Sequence, residues 1–309
     1  MGWQRSSRAR TTGGVRACGV LAACLLAAHA HAGQSNAPEP AQDPSIVVTG
    51  KTRAAEKVIE TFVTQVMDAQ EGQYARFVDP VCPEVIGLSP QVAQAMQARI
   101  REVAAETAVP RPKKAKCQAN ILVMFVADAD TFMKYMRGRY RMFFSDLGDG
   151  DRATAFQPGS IRAWRQLVLR DDVGAMGLVK SARSAPENPP VYETPTRTVA
   201  VNAVVIMDKR SASGKSVRQL ADYAAFRAFT GARPPANGKV ALDSILSLFD
   251  PQVTPSPAAL TASDRGLIAS LYTMRGNMAE GDAGQQAASI ARRMAAAKAR
   301  AEAEIAARP

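Results

Sequence analysis

The sequence predicts an α+β fold in which a mixed β-sheet packs against several helices and an Ala-rich helix closes the chain. Three observations carry this expectation. QANILVMFVADAD, Gln118 to Asp130, has the unbroken apolar centre of a strand covered on both faces. RTVAVNAVVIMDK, Arg197 to Lys209, is a second apolar run of strand type. Between and around them, several segments repeat apolar residues at helical spacing rather than alternately.

The first 32 residues read as an export leader. MGWQRSSRARTTGGVR carries Arg5, Arg8, Arg10 and Arg16 with no acid, a short apolar core follows, and small residues end at Ala32. The core is too short to cross a membrane and stay there, and no later run has the length of a spanning helix. Cleavage near Ala32 predicts a periplasmic or secreted protein. The alternative is a lipid anchor on Cys24, within the box-like LAAC. Removing the leader takes away both histidines, His29 and His31, together with Cys18 and Cys24. It also removes four arginines and no acid, so the formal charge falls from +11 to +7.

Residues 33–51 read as a disordered spacer, Pro-rich and polar from Gly33 to Ser45, after which IVVTGKT, Ile46 to Thr52, has the letters of a short edge strand. A single α+β domain is expected over 52–278. Its first helix, from Arg53 to Ala69, places Val58, Phe62 and Val66 on one face with Ile59 and Val63 beside them. The second begins at Ser89 and Pro90, a cap and a first-turn proline, and buries Val92, Met96, Ile100 and Val103. A short helix, ADTFMKYMRG, follows the first apolar strand. RMFFSDL and IRAWRQLVLRD are strand candidates, although Trp164, Leu167 and Leu169 do not alternate cleanly. The Pro-rich connection Ser181 to Thr196 cannot be a central element. Ser216 to Phe229 is the central helix, stopped by Gly231, Pro234 and Pro235. Thr261 or Ser263 caps a further helix that buries Leu267, Ile268 and Leu271. Residues 279–309 form the Ala-rich helical tail, expected to be solvated and to fray.

In a chain bound for an oxidising compartment, Cys82 and Cys117 are the two cysteines left, and they predict a disulfide. Other chemistry is largely excluded. Strand-GKS-helix suggests a phosphate loop, but the glycine its reversal needs falls on Lys209. DLGDGD, Asp146 to Asp151, groups carboxylates as calcium loops do, yet the closing position is Gln157, so a polar turn is expected. RGRYRMFF mixes arginine with aromatic residues, but only 6% of the chain is aromatic and no nucleic-acid module surrounds it. No nucleic-acid partner is expected. A Ser-His-Asp triad has no histidine to use, and Ser213 with Lys215 shows no activating group.

DPVCPEVIGL, CQANILVMFVADADTF, VVIMDKRSASGKSVRQLADYAAFRAF and LTASDRGLIASLYTMRG together resemble an uncharacterised family of exported proteobacterial proteins. This kind of chain is distantly similar to zincin-type metallopeptidases, which carry a helix with H-E-x-x-H and a later apolar block holding an acid and Leu-Tyr. LTASDRGLIASLY resembles that later block. In the helix, however, Asp222, Tyr223 and Phe226 stand where His, Glu and His would be. Catalytic zinc needs three protein ligands and a carboxylate to take the proton of its water. Phe226 cannot ligate, so neither metal nor cofactor is expected. The resemblance therefore implies a degenerate zincin-like fold without catalysis. In it, Asp222, Tyr223 and Phe226 would line a relic cleft that binds peptide, protein or an envelope component. The alternatives are a hydrolase with a histidine-free site around Asp222 and a purely structural envelope protein. The plainest reading of Asp222 itself is an acid near a helix N-terminus paired with Arg218.

Overall fold

The computed structural model describes residues 44–70, 72–114, 117–145, 147–171, 176–178, 196–235, 240–274 and 281–307. The leader, Cys24, the spacer up to residue 43, Asp146 and the Pro-rich connection up to Pro195 lie outside the described residues.

One strand organises the sheet. β6 (Thr196–Asp208) runs antiparallel to β4 (Ile161–Asp171) along its whole length. On its other side it pairs in parallel with β1 (Arg76–Phe77) near Val199 and with β3 (Ile121–Val126) from Ala203 onwards. β2 (Pro83–Ile86) adds in parallel to β3, and β5 (Met176–Leu178) adds antiparallel to β4. The result is a six-stranded mixed sheet in the order β2-β3-β6-β4-β5, with β1 beside β6.

Both faces are covered, which is why β3 and β6 read as continuous apolar runs. Ile121, Val123 and Phe125 join the larger core, whereas Leu122, Met124 and Val126 serve a smaller one opposite. The larger core belongs to α1 (Pro44–Val66), α2 (Pro90–Glu106), α6 (Val217–Thr230), α7 (Ala262–Thr273) and α8 (Ala283–Ala306). The smaller one lies under α3 (Ala129–Arg139), a 3₁₀ turn at Arg141–Phe144, and α4 (Asp149–Phe156). A short α5 (Lys209–Ala212) leads from β6 towards α6.

α6 is the central helix, and the local chemistry explains its ends. Ser216 and Gln219 form a reciprocal capping box, and Gly231 closes the helix in the left-handed region at φ 69°. A side chain at Gly231 would also overlap the Arg165 guanidinium. Every residue from Leu220 to Thr230 is buried. Ala221, Ala224, Ala225 and Ala228 keep the helix thin enough to lie inside other layers. Ser216 thus acts as a cap, as a Ser/Gly turn ahead of a helix requires, and not as part of a phosphate loop.

Four local expectations need correction. Ile46–Thr52 lies within α1 rather than in an edge strand. RMFF forms the 3₁₀ turn, because Phe144 alone turns inward while Met142 and Phe143 stay exposed. The C-terminal helix is no solvated tail in its first half. Gln286, Ala287, Ile290, Ala291 and Met294 are buried, largely against α1, and burial of Ile290 alone contributes roughly 2 kcal/mol. Finally, β4 does alternate: Ala163 and Leu167 face the larger core, and Trp164 faces the smaller. Two charged residues, Arg162 and Arg165, are buried among them and disguise the pattern. A register shift at Gln166/Leu167 skips Val201 on β6, so Ala200 and Ala203 share one face.

Cys82 and Cys117 are disulfide-bonded, with Cα atoms 6.0 Å apart, just ahead of the paired strands β2 and β3. Asn120 holds the same junction without covalent help. Its side chain accepts from the Cys82 amide at 2.7 Å and donates to the Pro80 carbonyl at 3.1 Å. The Cys82 carbonyl accepts from the Asn120 and Ile121 amides. In protein trimmed of residues 1–32, thiol labelling in denaturant should find no free thiol before reduction and two after it. Reduction should lower the unfolding free energy by about 2–4 kcal/mol in urea titrations. Two reactive thiols in unreduced protein would contradict the bond.

Candidate functional site

α6 presents none of Asp222, Tyr223 and Phe226 to solvent. Asp222, Tyr223 and Phe226 are 0%, 2% and 0% exposed. Asp222 is instead the centre of a buried clamp. Arg99 of α2 donates from Nε to Oδ1 at 2.6 Å and from Nη2 to Oδ2 at 3.3 Å, and the Leu260 amide reaches Oδ2 at 2.8 Å. Its partner is therefore Arg99, 123 residues away, and not the exposed Arg218. Burial works against the Arg99 charge, but Asp222, Glu102 and Glu106 outweigh it and hold the guanidinium above its ordinary pKa. Tyr223 accepts a hydrogen bond from Arg227 at 2.7 Å and meets Phe249 edge-on. Phe226 packs in the core.

The later block is equally structural. Asp264 accepts from Ser244 Oγ at 2.6 Å and from the Ile245 and Thr261 amides, each at 2.8 Å. Burial raises its pKa in spite of those donors. Tyr272 donates to the Phe229 carbonyl at 2.9 Å and accepts from the Phe77 amide, and burial pushes its hydroxyl pKa up. Among the described residues, no three His, Cys, Asp or Glu side chains gather to hold a metal ion.

Charge in the core extends to residues with no sequence motif. Arg165 is buried on β4 and donates to the Ala75 carbonyl at 2.8 Å, while its Nε has no partner. Burial lowers its pKa. Asp151, read from DLGDGD as part of a polar turn, lies in the first turn of α4 and is buried. It accepts from the Arg165 backbone amide at 3.3 Å and stands 3.6 Å from Arg233, which also meets Asp68. Burial raises the Asp151 pKa against the pull of Arg165 and Arg233.

The open feature is on the opposite face of the sheet, where α3, the 3₁₀ turn and α4 leave part of it bare. Leu122, Val204 and Trp164 form the floor of a groove of about 340 Å³, and Met142, Phe143 and Leu147 line it too. Phe143 stands edge-on to both Phe144 and Trp164. Asn120, Gln166 and Asn202 supply the polar lining. Asn202 donates to Gln166 Oε1 at 2.7 Å, which leaves Asn202 Oδ1 as an acceptor and Gln166 Nε2 as a donor. The apolar surface continues past Met142 and Phe143 to Phe132, Met136 and Tyr140, edged by Arg139 and Arg141. Sequence reasoning singled out RGRYRMFF but missed Trp164, Gln166 and Asn202. The last two meet only through strand register.

Comparison of the chain with family models, curated proteins and solved structures finds no match. Among the described residues no helix is long and apolar enough to cross a membrane.

Two measurements test the buried charges. Asp222→Ala should cost about 2–4 kcal/mol, because it leaves Arg99 Nε and the Leu260 amide buried without an acceptor, while Glu102 and Glu106 keep part of the Arg99 charge paired. Replacing both partners, Arg99→Met with Asp222→Leu, should recover part of this and still leave the Leu260 amide without its acceptor. Urea titrations of the four proteins give the coupling, and additive losses would contradict the clamp. For Asp151 the folded pKa lies above the unfolded one. Its contribution is therefore complete below the ordinary carboxylate pKa of about 3.9 and is lost as pH rises through the raised value. Between about pH 4 and 7, Asp151→Asn should gain stability relative to the unmodified protein. A flat or opposite difference in urea midpoint would count against the raised pKa.

Proposed function

We propose that this is an exported, non-catalytic protein with a degenerate metallopeptidase-like fold. In this reading it binds short peptide segments in the groove over Trp164. The observation that carries the proposal is the contrast between the two faces of the sheet. The residues at the metal-helix positions are spent on core contacts, while the opposite face offers apolar floor beside a free amide donor and acceptor. That combination suits a peptide: an apolar or aromatic side chain covers Leu122, Val204 and Trp164, and the adjoining peptide group pairs with Asn202 and Gln166. Arg139 and Arg141 at the edge favour peptides with an acidic residue or a C-terminal carboxylate beside the apolar one. The absence of histidine after leader removal supports the non-catalytic part of the reading, and the basic leader and the disulfide support export.

Peptide arrays followed by calorimetry on residues 33–309 provide the test. Peptides pairing an aromatic or aliphatic residue with a neighbouring acid should bind, and Trp164→Ala should weaken the best of them about tenfold or more. Gln166→Ala should weaken binding by a smaller factor and leave the fold intact. Affinity indifferent to Trp164 would remove the groove from the proposal. Sequence-selective cleavage of any peptide, with or without added divalent ions, would replace binding by catalysis.

A further inference from the structure

A second concavity, independent of the groove, lies where α2 runs into the chain leading to Cys117. Its lining has two parts of opposite character. Val81, Ala104, Ala105, Ala108, Val109 and Pro112 make short apolar walls around a space of about 700 Å³. Arg101, Arg111, Lys113 and Lys114 bring four positive charges to it. None of these four has a hydrogen-bond or ion-pair partner among the described residues. Other cations nearby are matched: Arg99 has Asp222, Glu102 and Glu106, and Arg265 has Glu106. The pocket has no such partner within its own lining, where no acid occurs.

The segment bearing the charges is held in place. Thr107 and Val109 bond back to Val103 and Ala104 of α2, through a left-handed Ala108 at φ 60°. The Pro110 carbonyl accepts from the Val81 amide at 2.9 Å, and beyond Lys114 the disulfide at Cys117 ties the chain to Cys82. Four like charges held around one hollow repel one another and focus a positive potential into it. A multivalent anion relieves both.

We propose that this pocket binds a soluble polyanion carrying two or more phosphate groups. Phosphate suits it because two guanidinium forks and two ammonium groups match its several acceptor oxygens and its charge of nearly two. The walls contain no aromatic residue to stack on a base, so a nucleobase adds nothing. They also present no large exposed apolar side chain to enter a bilayer, which favours a soluble ligand over a phospholipid headgroup.

Titration calorimetry of residues 33–309 with inorganic tripolyphosphate is the test, with citrate and phosphatidylglycerol vesicles run alongside. Saturable one-to-one binding of tripolyphosphate is expected, tighter than that of citrate and weaker at an ionic strength of about 0.15 M than at low salt. Arg101→Gln with Arg111→Gln should weaken it at least tenfold, and Lys113→Met with Lys114→Met should do the same. Both pairs are solvent-exposed, so thermal midpoints should stay near that of the unmodified protein. Arg292→Gln with Arg300→Gln, which removes the same charge at exposed positions of α8, should leave this binding unchanged. No binding of tripolyphosphate, or binding insensitive to both pairs, overturns the proposal. Binding to vesicles alone overturns the soluble ligand in favour of a membrane surface.

Discussion

A carboxyl group with no exposed surface needs partners that replace the water it has lost, and Asp222 finds them in one guanidinium and one backbone amide. The requirement reaches far beyond the pair. Arg99 must project from α2, so the angle between α2 and α6 is set by a charge as well as by apolar packing. Leu260 must present its amide, so the loop entering α7 is drawn onto the same point. Asp264 repeats the device one turn into α7 and gathers Ser244, Ile245 and Thr261. Two carboxyl groups thereby organise the chain entering α7, where Ser244, Ile245, Leu260 and Thr261 all donate to them. Asp222, Tyr223 and Phe226 are all engaged in contacts inside the fold.

Much of the frame is legible in the sequence because it rests on short-range rules. β3 and β6 show as apolar runs since both their faces are covered, and the ends of α6 follow from Ser216, Gln219 and Gly231. The Cys82–Cys117 bond follows from counting. What escapes is chemistry that breaks the pattern of polar outside and apolar inside. Arg162 and Arg165 are buried on β4 and hide an alternation that is in fact regular. Gln286 lies inside α8 because its side chain accepts from the Tyr74 amide at 2.6 Å, so a polar letter marks a core position. Alanine has little hydrophobic weight in a periodicity argument, yet in α8 its small size is what allows close approach to α1.

The candidate sites were less legible for a related reason. The partner of Asp222 is 123 residues distant, beyond any local spacing rule. Gln166 and Asn202 become neighbours only once β4 and β6 are paired in register, and that register includes a one-residue slip that the letters do not announce. The aromatic-arginine run at Arg137–Phe144 could be seen, but its conformation could not. A strand would have sent alternate residues inward, whereas the 3₁₀ turn leaves Met142 and Phe143 exposed beside Trp164.

The Asn120 hydrogen bonds bear on the order in which the covalent link is made. Parallel strands cannot be joined by a tight turn, so β2 and β3 must find each other across α2, at the entropic cost of closing a long loop. The Asn120 hydrogen bonds to the Cys82 amide and the Pro80 carbonyl need no oxidant, and they hold Cys82 beside the start of β3. An oxidase would then meet a pair already selected by backbone recognition. Oxidation in that sequence of events acts as a ratchet: it preserves an encounter made by an asparagine and prevents its reversal.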